Sequence, residues 1–174
     1  MWTVPDEERR IVLVRHAKAV PKDETEDFDR GLADRGRADA LLTGRWLAGS
    51  GYAVDLALCS SARRTRQTWQ LMLPAFAAPP PTAYEDALYR AGADELLGAL
   101  RERSDDLTGV LLVGHNPAVH ELARQLCGDG PQPLLDRLAD SFPTSAVAVL
   151  TVRAPWADLA PGSARLAAFW SPGD

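Results

Sequence analysis

The chain has 174 residues, 46% of them hydrophobic and 25% charged, the balance of one ordinary globular domain spanning 1–174 with a single core. Its formal net charge of −5 argues against a general nucleic-acid surface or an anionic-membrane surface, so an anionic substrate would need a local basic pocket. No apolar run reaches the roughly 20 residues of a bilayer span, and residues 1–10 lack the apolar stretch of a signal peptide, so the chain reads as soluble and cytoplasmic.

Ile11 to Val14 is a short β-branched apolar run, as expected of a strand buried on both faces, and it stops at Arg15-His16. Pro21 to Arg30 is acidic and polar and reads as a surface loop. From Asp34, the residues Ala38, Leu41, Leu42, Trp46 and Leu47 recur at helical spacing up to the stop signal Gly49-Ser50-Gly51. Val54 to Leu58 reads as a second buried strand, and Ala62 to Phe76 as a helix closed by Pro79-Pro80-Pro81. Thr82 to Tyr84 reads as an edge strand because prolines precede it.

A helix is predicted over Asp94 to Arg103, and a third buried strand over Val110 to Val113, broken by Gly114-His115-Asn116-Pro117. The next helix runs through Leu126 and ends at Gly128-Asp129-Gly130, with Pro131-Gln132-Pro133 expected to be irregular. Ala146 to Val152 and Leu166 to Trp170 complete the strands. Strands alternating with helices imply an α/β layered domain with a largely parallel sheet. Cys59 and Cys127 lack C-x-x-C spacing and read as buried thiols of a reducing compartment.

Three polar residues follow buried strands: His16, Arg64 and His115. In an open parallel sheet the carboxyl ends of the strands share one edge, where ligands bind, so residues distant in sequence can meet there. A neutral imidazole is a nucleophile at physiological pH. Phosphoryl transfer is catalysed mainly by positioning and by stabilising charge on the equatorial oxygens. Arg15 and Arg64 supply guanidinium forks that match phosphate oxygens. A protonated His115 adds a donor, and the helix opening after Asn116 aims amide groups the same way. Together they make a phosphate site.

At these residues the chain resembles the histidine phosphatase superfamily, which includes the cofactor-dependent phosphoglycerate mutases. Leu13-Val14-Arg15-His16-Ala17 resembles the defining Arg-His-Gly motif, with Ala in the glycine position. Ser60-Ser61-Ala62-Arg63-Arg64-Thr65-Arg66-Gln67-Thr68 resembles the second motif, and alignment from Gln67-Thr68 puts the phosphate-binding arginine on Arg64 rather than Arg63. Val113-Gly114-His115-Asn116-Pro117 matches the third motif, which carries the second catalytic histidine. Asp27-x-x-Arg30-x-Leu32-x-x-x-Gly36, Leu88-Tyr89 and Phe142-Pro143-Thr144 are similar to the short bacterial phosphohistidine phosphatases of SixA type.

The resemblance implies a three-layer α/β/α fold, phosphoglycerate mutase-like, with one antiparallel strand in a mostly parallel sheet. It also implies His16 as nucleophile, with Arg15, Arg64, His115 and Asn116 around the phosphate. The general acid is the departure from the family pattern. Many relatives place a Glu between the second and third motifs, and here Asp27 is the first candidate and Glu85 the alternative. His115 and His120 lie on different helix faces, so a shared metal is not implied. No Walker loop or dinucleotide fingerprint is present, so no cofactor is implied.

The short interval from 70 to 109 leaves no room for a cap domain. An open pocket suits phosphohistidine on a protein. The alternative is a phosphatase for a small phosphorylated metabolite, and the third reading is a phosphate-binding module without catalysis.

Overall fold

The structure is a computed structural model that describes residues 7–23 and 25–174. The amino-terminal reading of residues 1–6, and Glu24 of the acidic loop, lie outside the described residues. In chain order the elements are β1 (Arg9–Arg15), α1 (Asp34–Gly49), β2 (Leu56–Ser60), α2 (Arg63–Met72) and β3 (Thr82–Glu85). Then come α3 (Ala93–Arg101), β4 (Gly109–Gly114), α4 (Ala118–Leu126), β5 (Cys127–Asp129), α5 (Gln132–Asp140), β6 (Val147–Val152) and β7 (Ala164–Trp170).

The strands form one sheet in the order β3-β2-β4-β1-β6-β7-β5. β4, β2 and β3 run parallel to β1, whereas β6 is antiparallel to both β1 and β7. β5 runs parallel to β7, so β6 alone opposes the rest, as expected. Alternation along each strand sends successive residues to opposite faces. Ile11, Leu13, Val110 and Leu112 pack on one face with Leu96 and Leu100 of α3, Leu122 of α4 and Leu138 of α5. Val12, Val14, Leu111 and Val113 pack on the other with Leu47 of α1 and Trp69 and Met72 of α2. Both faces are covered, which is why the central strands read as unbroken apolar runs.

Several predicted elements are corrected. Leu41 and Leu42 are exposed, and α1 instead buries Gly36, Ala40, Thr43, Gly44 and Leu47. The reason is close approach. A Cβ on Gly36 would stand 2.1 Å from the Lys18 carbonyl oxygen, and one on Gly44 would stand 2.7 Å from Cα of Met72. β2 begins two residues later than expected, because the Asp55 carboxylate accepts from the Thr108 and Gly109 amides at 2.8 and 2.9 Å. The helix expected to reach Phe76 gives way to a 3-10 turn at Leu73–Ala75. The stretch expected to be irregular holds α5, preceded by the three-residue β5. Cys59 is buried, but Cys127 is only half-buried, and both are free thiols.

Candidate active site

Sheet register builds the floor of the site. Arg15 stands opposite Gly114 in the parallel β1–β4 pair, so His16 and His115 leave adjacent strand ends together. The His16 amide donates to the Gly114 carbonyl at 3.1 Å, and the two imidazole centroids are 5.4 Å apart. β2 lies on the other side of β4, which brings Ser60 to within 2.8 Å of Nε2 of His115. Thr65 Oγ1 then donates to the Ser60 carbonyl at 2.6 Å, fixing the start of α2 so that Arg64 in its first turn turns inward and is 6% exposed.

A turn at 142–145 supports this floor from behind. Nη1 of Arg15 and Nδ2 of Asn116 both donate to the Phe142 carbonyl at 3.0 Å. The buried Ser145, at φ 65°, donates its amide to the Arg15 and His16 carbonyls, each at 3.1 Å. Its hydroxyl meets Thr43 Oγ1 at 2.8 Å, tying the turn to α1.

These elements enclose a cavity of about 540 Å³. Of the residues singled out from sequence, Arg15, His16, Asp27, Arg64, His115 and Asn116 line it together. Glu85 does not; it ends the edge strand β3, opposite Ser60. Arg63 reaches only the Asp29 carbonyl at 3.4 Å, and Arg66 turns to the Ser61 carbonyl at 2.8 Å. Lys18, Ala19, Lys22, Arg30 and Thr144 line the cavity in addition. Five cations (Arg15, Lys18, Lys22, Arg30 and Arg64) therefore face one carboxylate, on a chain whose net charge is −5. Low-dielectric walls and one sign of charge concentrate an anion there. Nε of Arg15, Nε of Arg64 and Nδ1 of His115 are buried without a protein partner, a donor set that suits oxyanion atoms.

The histidines differ in how they are held. Nδ1 of His16 lies 2.7 Å from the Ala17 carbonyl oxygen, which can only accept, so Nδ1 carries the proton and Nε2 the lone pair. Burial, then the neighbouring positive groups His115, Arg64 and Arg15, push the His16 pKa down to about 3 against the pull of that carbonyl. Burial followed by the charge of Arg64 lowers His115 to about 4. Burial thus favours neutral His115 at pH 7 while the cavity holds only its own cations, whereas the protonated His115 read from the sequence is a donor to bound phosphate. The Ser60 hydroxyl and Nε2 of His115 share one hydrogen bond; with the hydroxyl as donor the proton sits on Nδ1, and a neutral His115 then still presents a donor.

Asp27, the first candidate acid, lines the cavity with its carboxylate already engaged. Its carboxylate accepts from the Tyr89 hydroxyl at 2.5 Å, from Nε of Arg30 at 3.0 Å and from Nη2 of Arg64 at 3.1 Å. The Tyr89 bond first, with Arg30 and Arg64 adding to it, holds this carboxyl well below the usual carboxylate range. Such a group has no proton to give at neutral pH. Tyr89 also sets its ring edge against His115, with centroids 5.7 Å apart. Tyr89, Arg30 and Ser60 appear in the sequence motifs but carry no chemical signal of their own, and only the fold assigns them contacts. His120 binds the Leu138 carbonyl at 2.5 Å, joining α4 to α5 rather than entering the site. Among the described residues, no group of three or more His, Cys, Asp or Glu side chains is placed to hold a metal.

Comparison with known proteins gives this geometry a family. The family description "Histidine phosphatase superfamily (branch 1)" matches residues 11–88, which include Arg15, His16 and Arg64. An uncharacterized Mycobacterium tuberculosis protein is 38% identical over 161 residues, covering 91% of this chain and 99% of that one. The chain belongs to the histidine phosphatase superfamily. Its fold superposes on a protein assigned as the phosphohistidine phosphatase SixA of Nakamurella multipartitia with a TM-score of 0.83, at 34% identity over 98% of this chain and 99% of that one. A protein assigned likewise from Agrobacterium tumefaciens gives 0.80, also at 34% identity, over 98% of this chain and all of that one.

Proposed function

We propose that this histidine phosphatase removes the phosphoryl group from phosphohistidine on a protein, by way of a covalent phosphoryl intermediate on His16. The observation that carries it is the tautomer: the Ala17 carbonyl holds the proton on Nδ1, so Nε2 of a side chain lining the cavity is a ready nucleophile at pH 7. Nε2 attacks phosphorus and forms a new P–N bond as the substrate P–N bond breaks. The other ring nitrogen of the substrate imidazole first takes a proton from solvent, so the bonding pair leaves on a neutral imidazole. Arg15, Arg64 and Nδ1–H of His115 stabilise the charge on the equatorial oxygens. A bound phosphate dianion raises the His115 pKa by its opposite charge, which strengthens that donor once substrate is present. Water then attacks the phosphoryl-His16, loses a proton and releases inorganic phosphate.

Substrate choice follows from the leaving group. An alkyl phosphate must expel a poor alkoxide, whereas phosphohistidine expels a neutral imidazole, whose conjugate acid has a pKa of about 6.5. Asp27 is held ionised, and Glu85 lies outside the cavity, so neither is in place to protonate an alkoxide. The structure from residue 73 to 108 holds only β3, α3 and short turns, and no residue of that stretch lines the cavity. The SixA assignment of the two structures above, each 34% identical to this chain, points to the same substrate class. A cavity of about 540 Å³ also falls in the range of small-ligand sites, which keeps a metabolite phosphomonoesterase as the second reading.

Steady-state comparison of a phosphohistidine peptide, 4-nitrophenyl phosphate and a panel of sugar and glycerate phosphates separates the two. The peptide and the aryl ester should be turned over efficiently and the alkyl phosphates very poorly. An alkyl phosphate with the highest kcat/KM would replace the phosphohistidine assignment with the metabolite one.

A further inference from the structure

The acidic lining residue has an unusual set of partners. Asp27 Oδ1 accepts from Nε of Arg30 at 3.0 Å and lies 2.9 Å from Nη2 of the same side chain. Oδ2 accepts from Nη2 of Arg64 at 3.1 Å and from the Tyr89 hydroxyl at 2.5 Å. The Asp27 backbone carbonyl takes Nη1 of Arg64 at 2.7 Å. Both terminal nitrogens of Arg64 thus end on one residue, while its Nε is buried with no protein partner. Arg30, whose Nη1 binds the Val20 carbonyl at 2.9 Å, is held in the same way from the far side.

We propose that Asp27 is a positioning residue, which grips Arg64 and Arg30 so that their remaining N–H groups meet the phosphate, and does not donate a proton to the leaving group. It rests on the phosphatase reading above only in taking phosphate as the ligand. A guanidinium is useful to a phosphoryl transition state only in a fixed plane, and a long arginine stem left unclamped spreads over many rotamers. The 3-10 turn at Asp27–Asp29 supplies the clamp, since it presents a main-chain carbonyl and a carboxylate to Arg64 together. Tyr89 holds the carboxylate from the opposite side, and its ring is itself braced by Phe28 at a centroid distance of 5.0 Å.

Simple charge counting predicts the opposite result. Removing a carboxylate from a phosphate pocket should tighten phosphate binding through Coulomb attraction alone. The Asp27 side chain is 46% exposed, so water screens that repulsion strongly. Loss of arginine geometry outweighs it. The sign of the effect therefore decides between the two accounts.

The test is titration calorimetry of inorganic phosphate with the wild-type protein, Asp27→Asn and Asp27→Glu, paired with kinetics on 4-nitrophenyl and phenyl phosphate. Both variants should bind phosphate about ten-fold more weakly, since Glu keeps the charge but moves the carboxylate by one methylene. Their kcat/KM should fall on the order of ten- to a hundred-fold for both esters, with the ratio between the esters unchanged. In a background carrying both Arg64→Ala and Arg30→Ala, Asp27→Asn should cost much less than it does alone, because its partners are gone. Equal or tighter phosphate binding by Asp27→Asn overturns the positioning role. So does a loss confined to phenyl phosphate, the poorer leaving group, which would mark a general acid. A full loss that persists without both arginines also overturns it. Failure of the phosphohistidine assignment reads out separately, as a preference for alkyl phosphates with this phosphate-binding contrast intact.

Discussion

The floor and the outer wall of the cavity are built by different physics. The floor (Arg15, His16 and His115) sits on strand ends whose backbones are bonded to neighbouring strands and to the 142–145 turn. The wall is built by Lys22 and the stretch from Asp27 to Gly31, with the Val20 amide on the Gly31 carbonyl at 2.9 Å at its base. Beyond that base it is held largely by ionised side chains, with Asp27 between Arg30 and Arg64. Arg64 is where the two meet. Floor geometry is a consequence of sheet pairing and core burial, so a change there should be nearly all-or-none. Wall geometry depends on charge and should fail by degrees.

The largest effect should come from the floor. His16→Ala removes the proposed nucleophile and should lower turnover by on the order of 10⁴-fold or more. Brief reaction with labelled substrate and quenching without acid should leave a phosphoramidate on His16 of the wild-type protein. Near wild-type turnover by His16→Ala would end the covalent mechanism. Next comes the junction: Arg64→Ala should cost on the order of 10² or more in kcat. Arg63→Ala and Arg66→Ala should be mild, because those side chains turn to the Asp29 and Ser61 carbonyls away from the cavity. Equal losses at all three would make floor and wall one diffuse basic surface.

The same division separates what the sequence reveals from what it hides. The floor is legible because each residue abuts a buried strand, and strand periodicity places it. Arg64 is legible through the resemblance, since alignment of the second motif from Gln67-Thr68 selects it over Arg63. The wall is less so, because Asp27 meets Arg64 and Tyr89 only across 37 and 62 residues of sequence. Asp27 is found from sequence, but as an acid, since a lone carboxylate carries no sign of the arginines that will grip it. In α1 the large residues Leu41 and Leu42 misidentify the buried face, and the true one (Gly36, Ala40, Thr43, Gly44, Leu47) is marked by smallness. α5 is hidden by Pro131 and Pro133, which read as breakers. Pro131 is the N-cap and Pro133 lies in the first turn, where a missing N–H costs nothing. β5 has only three residues and exists through its pairing with β7.

A subtler difference is pH dependence. His16 and His115 are depressed to about 3 and about 4 from an ordinary value of 6.5, in both cases chiefly by burial. As pH falls below about 6.5 the unfolded chain takes up protons that the folded floor refuses, so it binds more protons than the folded state. The stability these histidines retain in full above that pH is therefore lost as pH falls through their folded values. Thermal midpoints measured from pH 7 to pH 4 should drop less steeply for His115→Gln than for the wild-type protein. Imidazole NMR should show both histidines neutral at pH 6, with the His16 proton on Nδ1. A His115 midpoint near 6.5 in the protein without phosphate would mean that the floor is wetter than its burial implies.

The smallest effect tests how the wall shares its load. Tyr89→Phe removes one hydroxyl from Asp27 and keeps the ring that packs against Phe28 and His115. The Tyr89 bond is the largest influence keeping Asp27 ionised, so its loss raises the Asp27 pKa. Arg30 and Arg64 remain, and they keep the carboxylate charged at neutral pH. A net hydrogen bond is worth about 1 kcal/mol, a few-fold in rate if all of it bears on Arg64. At pH 7 the variant should thus lose no more than a few-fold in kcat/KM, far less than Asp27→Asn. At lower pH the gap should widen, because Asp27 protonates earlier and the arginines are released. A Tyr89→Phe defect as large as that of Asp27→Asn at pH 7 would transfer the clamp from the ion pairs to the tyrosine. A defect that stays constant with pH would separate Tyr89 from the Asp27 carboxylate altogether.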